Sequence, residues 1–267
     1  MRAVGAFFKM RFLSGLQYRS AAYAGMATQF AWGFMYIMLY EALYEGNMNA
    51  APMAFEELTS YLWLQQASLA LFMTWFLDND LFNMITEGNV AYEFCRPMDL
   101  YSMWFAKNCA TRTSRALLRC GPILLIAFFL PEPYRFHLPD SFHAFILFIV
   151  SALLALLIVV AYSMFIYITT FYTISPMGVR MIFVMLADFM AGSLVPIPML
   201  PEWLIKIIEL TPFAAMQDIP FRIYSGHIEA QGAYQAIGIQ VFWVILLMAF
   251  GYWFMQRTLK KVSVQGG

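Results

Sequence analysis

Charged residues are scarce in this sequence. Asp, Glu, Lys and Arg make up 12% of its 267 positions, against about 25% in an ordinary globular domain. The formal net charge is zero, so no electrostatic footprint for nucleic acid exists and none is expected as a partner. Cysteine is equally sparse. Cys95, Cys109 and Cys120 form neither a CxxC pair nor a cluster with histidine, which excludes a zinc site and a disulfide framework. The three histidines, His137, His143 and His227, have no ligand-like neighbour at helical spacing. No metal site is therefore expected. The sequence also lacks a GxxxxGK[ST] phosphate loop, a GxSxG elbow and an HExxH helix, so it offers neither a nucleotide cradle nor a catalytic residue. The first 20 residues scatter Arg2, Lys9, Arg11 and Arg19 through a stretch without an apolar core. A cleavable leader is not expected there.

What fills the chain instead is apolar surface. Hydrophobic residues reach 62% and aromatics 18%, far more than a water-soluble core of this size uses, so lipid is the solvent for much of the molecule. A helix crossing about 30 Å of hydrocarbon needs roughly 20 mainly apolar residues. Six segments qualify, at about 22–44, 59–77, 108–130, 142–171, 177–197 and 234–255. The third is interrupted by Arg119, and its entrance extends out of the membrane; the fifth contains Asp188 and runs into prolines. The expected fold is an all-α polytopic membrane protein, one transmembrane domain over 1–267.

Basic residues set its orientation, because cytoplasmic flanks collect Lys and Arg. Four precede the first span, five lie between Arg96 and Arg119, and Arg180, Arg257, Lys260 and Lys261 share that side. The opposite side has only Arg135, Lys206 and Arg222. Both termini are therefore expected in the cytoplasm, with the three cysteines as free thiols at or near the reducing face.

Three segments are not spans. Residues 1–21 place Val4, Phe8, Phe12 and Leu16 at i+4 spacing, the pattern of a helix lying among headgroups. Residues 196–233 carry five prolines; Trp203, Ile207 and Leu210 there suit a short interfacial helix begun at Pro201 and stopped before Pro212. Residues 78–101 are too polar to enter a bilayer and too apolar for a plain loop. Leu81, Phe82 and Ile85 can share one face of a short helix with Asp80, Asn83 and Glu87 on the other. Gly88 permits a sharp turn, and Pro97 limits a second short element that starts at Val90. Such a segment is either an interfacial connector or a surface knob for a soluble partner.

Here the sequence resembles a family. The order Ile85, Gly88, Val90, Ala91, Arg96, Pro97 is similar to that in permeases of type-2 ABC exporters, in the branch described as ABC-2 family transporter proteins, related to antibiotic and multidrug efflux systems. The run Gly192, Pro196, Pro201, Trp203, Leu204, Pro212, Phe213, Pro220, Gly226 and the ending VQGG resemble that family as well. The resemblance implies a six-span subunit of a type V exporter, with an amphipathic entry helix, a cytoplasmic coupling helix and an outer re-entrant hairpin, in a bacterial inner membrane. It implies a second permease chain, identical or related, and separate ABC ATPase subunits, two of them, which hold the ATP and Mg. Cofactors are then absent from this chain. Phe82, Ile85, Glu87, Gly88 and Tyr92 become the expected ATPase-coupling residues.

Other candidates rest on local physics. Pro196, Pro198 and Pro201 lack N–H donors, which eases ending a helix at membrane depth; with Gly192 they form either an outer gate or a rigid cap. Asp188, near mid-span, costs about 2.5–3.5 kcal/mol if it faces lipid. It is expected to face the bundle, the pathway or a partner, as a contact for cationic cargo, a gating group, a paired carboxylate or a protonated one. Arg112, Arg115 and Arg119 share one face of the third helix. They either draw an anionic headgroup or substrate into a lateral opening, or snorkel at the interface. Two rival classes remain: a proton-coupled secondary carrier relaying through Asp188, and a membrane enzyme or assembly factor. The first normally shows inverted repeats and the second a polar cluster at one depth; neither pattern is visible.

Overall fold

The computed structural model describes residues 2–17, 19–46, 52–139, 141–173 and 175–261, with backbone alone at 2 and 19–24. Among these residues the chain is all helical, without a strand. The VQGG ending lies outside the described residues.

The entry helix α1 (Arg2–Gly15) lies along α7 (Leu100–Phe128). Gly15 sits so close to Ser114 that a Cβ there would collide with its hydroxyl. Between them in sequence come α2 (Arg19–Gly46), then α3 (Phe55–Ala67) and α4 (Leu69–Phe72), separated by a break at Ser68. Gly33 on α2 lets the Trp63 indole of α3 approach its backbone, where a Cβ would stand 2.8 Å from the ring. Phe30 and Phe34 pack on the same indole, whose Nε1 donates to Tyr134 O at 2.8 Å.

The second span expected at 59–77 therefore ends as helix at Phe72, and Met73–Leu77 continue without helical structure. Two short helices follow, α5 (Asn79–Thr86) and α6 (Ala91–Phe94), before α7 begins at Leu100. Asp78 and Asp99 serve as N-caps, accepting from Asp80 N at 3.0 Å and Ser102 N at 2.9 Å; each satisfies one of the donors that a helix start leaves open.

The molecule's axis is α8 (Phe142–Thr170), apolar on every side, packed along α12 (Ala230–Leu259). These two helices are long and apolar enough to cross a membrane, with mean hydropathies of 3.2 and 1.9. Ser151 and Gln240 join them at 2.8 Å near one end, and Tyr172 and Thr258 join them at 2.9 Å near the other.

The fifth span departs most from its expected bounds. Helix α9 (Pro176–Met190) begins with proline at its first position and a Ser175 cap, and it has 15 residues. At about 1.5 Å per residue it covers roughly 22 Å, less than a full hydrocarbon layer. Gly192 stops it by adopting φ +78°, a conformation that costs other L residues about 1–2 kcal/mol. Short helices α10 (Glu202–Glu209) and α11 (Asp218–Tyr224) then fold back. On α10 Trp203, Ile207 and Leu210 face outward, while Ile208 is buried against Ile197 and Ala214.

Candidate functional site

Two places gather the expected residues, one at each end of the bundle. At the first, α5 and α6 stand out as a knob with a buried root. Leu81 and Phe82 are buried, and the Phe82 ring packs 5.0 Å from that of Tyr167 on α8. Asp78 forms an ion pair with Lys107 of α7 at 2.6 Å, and its backbone N–H donates to the Tyr167 hydroxyl at 2.7 Å. Arg180 of α9 donates to Asn79 Oδ1 at 3.0 Å. The root is thus tied to α7 and α8 by partly buried polar contacts and to α9 by an exposed one.

The tip is different. Glu87 is exposed and accepts from Asn89 Nδ2 at 2.9 Å, while Tyr92 presents 75% of its surface and Phe94 45%. Gly88 takes φ +76° with nothing near its missing Cβ, so it is required by the turn alone. Of the five residues grouped at this segment, Phe82 is part of the seat. Ile85 and Gly88 are half-buried, and Glu87 and Tyr92 form the accessible part.

The three arginines of α7 separate. Arg112 is fully buried. Its Nε donates to Asn108 Oδ1 at 2.8 Å, Nη1 to Leu71 O and Met73 O at 3.2 and 2.8 Å, and Nη2 to Phe76 O and Ser163 Oγ at 3.0 and 3.2 Å. It therefore closes the frayed C-terminal end of α4, collecting carbonyls that the lost helix leaves open. Its side chain is enclosed by protein, with one edge on the polar cavity between α1 and α7. Arg115 is exposed over the Phe76 ring at 4.3 Å, and Arg119 is half-buried with its guanidinium against Gly25 of α2.

At the other end, the turn after α9 is held by side chains from α3 and from the start of α11. Gln65 Nε2 donates to Gly192 O and Ser193 O at 3.2 and 3.0 Å, and Gln217 Nε2 donates to Ser193 Oγ at 2.9 Å. A Cβ on Gly192 would stand 3.1 Å from Ile197 Cγ1 and 3.3 Å from the Tyr61 hydroxyl. That hydroxyl donates to Asp218 Oδ1 at 3.0 Å, and Arg222 Nη1 lies 3.3 Å from Asp218 Oδ2. Asp218 is fully buried. Pro198 and Pro201 line a cavity of about 860 Å3 with Leu39 and Leu43 of α2, Arg222 and His227; Pro196 and Gly192 are not among its walls. Asp188 lies nearer the middle, half-buried, and accepts from the Thr74 hydroxyl at 2.6 Å.

Gln65, Gln217, Asp218 and Arg222 carry the network around this turn, and the sequence pattern does not single out any of them as a site residue. Only the Asp218/Arg222 spacing, one helical turn apart, signals a local pair. Among the described residues no group of His, Cys, Asp and Glu has the arrangement of a metal site.

A model of the ABC-2 family transporter protein matches residues 26–266, nearly the entire chain and both of these sites. The chain belongs to that family. It is an integral membrane protein and a permease component of an ABC transporter, and membership implies pairing with an ABC ATPase subunit. No curated protein matches the sequence. The matched region begins after α1, so the entry helix is described by the structure alone.

Proposed function

We propose that this permease forms half of the translocation pathway of an exporter in a bacterial inner membrane. A second permease chain, identical or related, completes the pathway, and two separate ATPase subunits hold the ATP and Mg. In this reading there are six spans, with α3 and α4 together as the second and α9 as a short fifth. The segment 196–233 is an outer re-entrant hairpin, and both termini are cytoplasmic. The chain itself is non-catalytic.

The observation that carries the reading is the α5–α6 knob. A tip with Glu87 and Tyr92 exposed, turned at Gly88, stands on a root bonded to α7, α8 and α9. Force applied at the tip reaches α9 through Arg180–Asn79 and Asp188–Thr74. Helix α9 ends at Gly192, whose carbonyl is held by Gln65. ATP-driven closure of the ATPase then tilts α9 and alters the turn that walls the outer cavity. Pro196, Pro198 and Pro201 lack backbone donors, and the short 3-10 turn between them is closed by Met199 N to Pro196 O and Leu200 N to Ile197 O at 2.9 and 3.0 Å, so it changes shape without breaking a longer helical ladder. The cavity combines aliphatic walls with Arg222 and His227, which suits amphipathic or drug-like cargo moving outward.

The test is co-purification with the candidate ATPase in nanodiscs, wild type against the double change Glu87→Arg and Tyr92→Ala. A stable, hydrolytically active complex that the double change abolishes while the membrane fold stays intact supports the coupling role. Normal binding and hydrolysis by the changed protein removes it. If no ATPase binds the wild type, a proton-coupled carrier tested through Asp188→Asn takes its place.

A further inference from the structure

Between α1, the start of α5 and the cytoplasmic half of α7 lies a second cavity, of about 460 Å3 and more polar than the outer one. Its walls include Arg11 from α1, Lys107, Asn108, Arg112 and Arg115 from α7, and the acids Asp78 and Asp80 at the start of α5. Four cations therefore face two carboxylates. Lys107 is spent on Asp78 at 2.6 Å, and Arg112 is spent on the carbonyls described above. Arg11 and Arg115 have aromatic neighbours, Phe7 at 5.3 Å and Phe76 at 4.3 Å, but form no ion pair among the described residues.

A separate observation points to a ligand. Asn108 is 7% exposed, and its Oδ1 is taken by Arg112, yet its Nδ2 has no hydrogen-bond partner although it is buried. An unmet amide donor in such a place costs about 1–3 kcal/mol. Arg11 Nε is likewise buried without a partner. Two orphaned donors and an uncompensated cation around one small cavity fit a compact anion with several acceptor oxygens. A free carboxylate supplies two such oxygens, whereas a phosphate offers more and matches the guanidinium fork. In the proposed topology the depth is that of headgroups: α1 lies at the cytoplasmic face, Phe8 packs towards the core, and Met10 and Leu13 are left exposed, apolar groups that suit contact with an interface.

We infer that this cavity binds the phosphate of an anionic phospholipid of the cytoplasmic leaflet, held by Arg11, Asn108 and Arg115. The inference rests on the topology proposed above but not on the ATPase. Through Asp78 and Asp80 the bound headgroup adjoins the root of the α5–α6 knob. Membrane composition would thereby influence how firmly the knob is seated. Asp80 opposes the charge of the ligand and limits its affinity.

The test uses the purified full chain in detergent, with lipid binding read by native mass spectrometry and no ATPase present. Dioleoyl phosphatidylglycerol is compared with the zwitterionic dioleoyl phosphatidylcholine, and with inorganic phosphate and glycerol 1-phosphate as soluble anions. Saturable one-to-one binding that prefers phosphatidylglycerol is expected. The double change Arg11→Gln and Arg115→Gln should weaken it about tenfold, the loss expected for charge-assisted bonds. Lys206→Gln, at an exposed site on α10, should leave it unchanged. Asp80→Asn should tighten it by about threefold, as removal of a part-screened charge does, which separates a lost site from a damaged fold. Equal binding of both lipids, or full retention by the double variant, overturns the proposal. Soluble phosphate binding as tightly as the lipid, through the same arginines, overturns the lipid source and assigns the cavity to a free anion.

Discussion

Arg112 shows what a single residue does in this fold. Its guanidinium has five N–H donors, and the structure gives it five acceptors, three of them carbonyls at the unravelled end of α4. Helix α4 stops at Phe72 while the chain still needs to reach Asp78. Without Arg112, those carbonyls face an apolar interior. Each orphaned group costs about 1–3 kcal/mol, so Arg112→Met is expected to destabilise the protein by at least about 3 kcal/mol. Lysine at the same position should restore only part, because three mobile donors replace a planar fork. Thermal melting in detergent checks this. A melting temperature for Arg112→Met equal to that of Arg115→Gln would show that the buried network contributes nothing special.

At the scale of an element, the α5–α6 pair divides its labour between faces. Phe82 is 4% exposed and Tyr92 75%, although both are aromatic residues of one short segment. The first packs on Tyr167; the second meets whatever lies outside. Truncating a buried phenylalanine costs about 3–5 kcal/mol, far more than an eight-residue helix can absorb through its own propensity. Phe82→Ala is therefore expected to raise hydrogen exchange across residues 79–94, with ATPase coupling lost as a consequence. Tyr92→Ala should leave exchange unchanged and affect only the complex. Equal exchange in the two variants would mean that Phe82 does not seat the segment. Helix α9 is the complementary case, an element cut short by Gly192 rather than lengthened to span the bilayer. Its polar contacts to the rest are at Arg180, with Asn79, and at Asp188, with Thr74; in the proposed function they make it the element that links the two ends.

At the scale of the whole molecule the two ends differ in chemistry, and each can be tested separately. His227 lies beyond α11, outside the spans, with its Nδ1 3.5 Å from Glu57 Oε2. Burial and then the Arg222 guanidinium hold its pKa below the ordinary imidazole value, outweighing Glu57. The folded protein thus binds fewer protons there than the unfolded chain. Its contribution to stability is complete above the unfolded pKa, about 6.5, and is lost as pH falls towards the lowered folded value. The melting temperature should fall between about pH 7 and about pH 5.5, and His227→Gln should flatten that slope. Identical slopes would remove His227 from the account. The opposite end carries an exposed Cys95, while Cys109 is buried and Cys120 half-buried. A membrane-impermeant maleimide should label Cys95 in inside-out vesicles and leave intact cells unlabelled. Labelling of intact cells would invert the proposed topology.

Composition and local pattern already determined that the chain is a helical membrane protein, that residues 78–101 could neither cross nor merely loop, and that Gly88 had to turn. These are properties of neighbours, and hydropathy, capping and φ preference all act over a few residues. The family likewise showed in short motifs, such as the proline run after Gly192. Only the tertiary structure decided which polar side chains meet. Arg112 reaches carbonyls 36 to 41 positions away, and Gln65 holds Gly192 across 127 positions. Asp218, buried beside Tyr61, reads in the sequence as an ordinary loop acid. Three arginines on one helical face became an interior staple, an exposed cation and a helix–helix contact. The physical reason is that partner choice depends on how each helix is rotated and where it breaks. Both are set by packing against distant helices, as with Trp63 in the notch at Gly33, rather than by the residues' own neighbours.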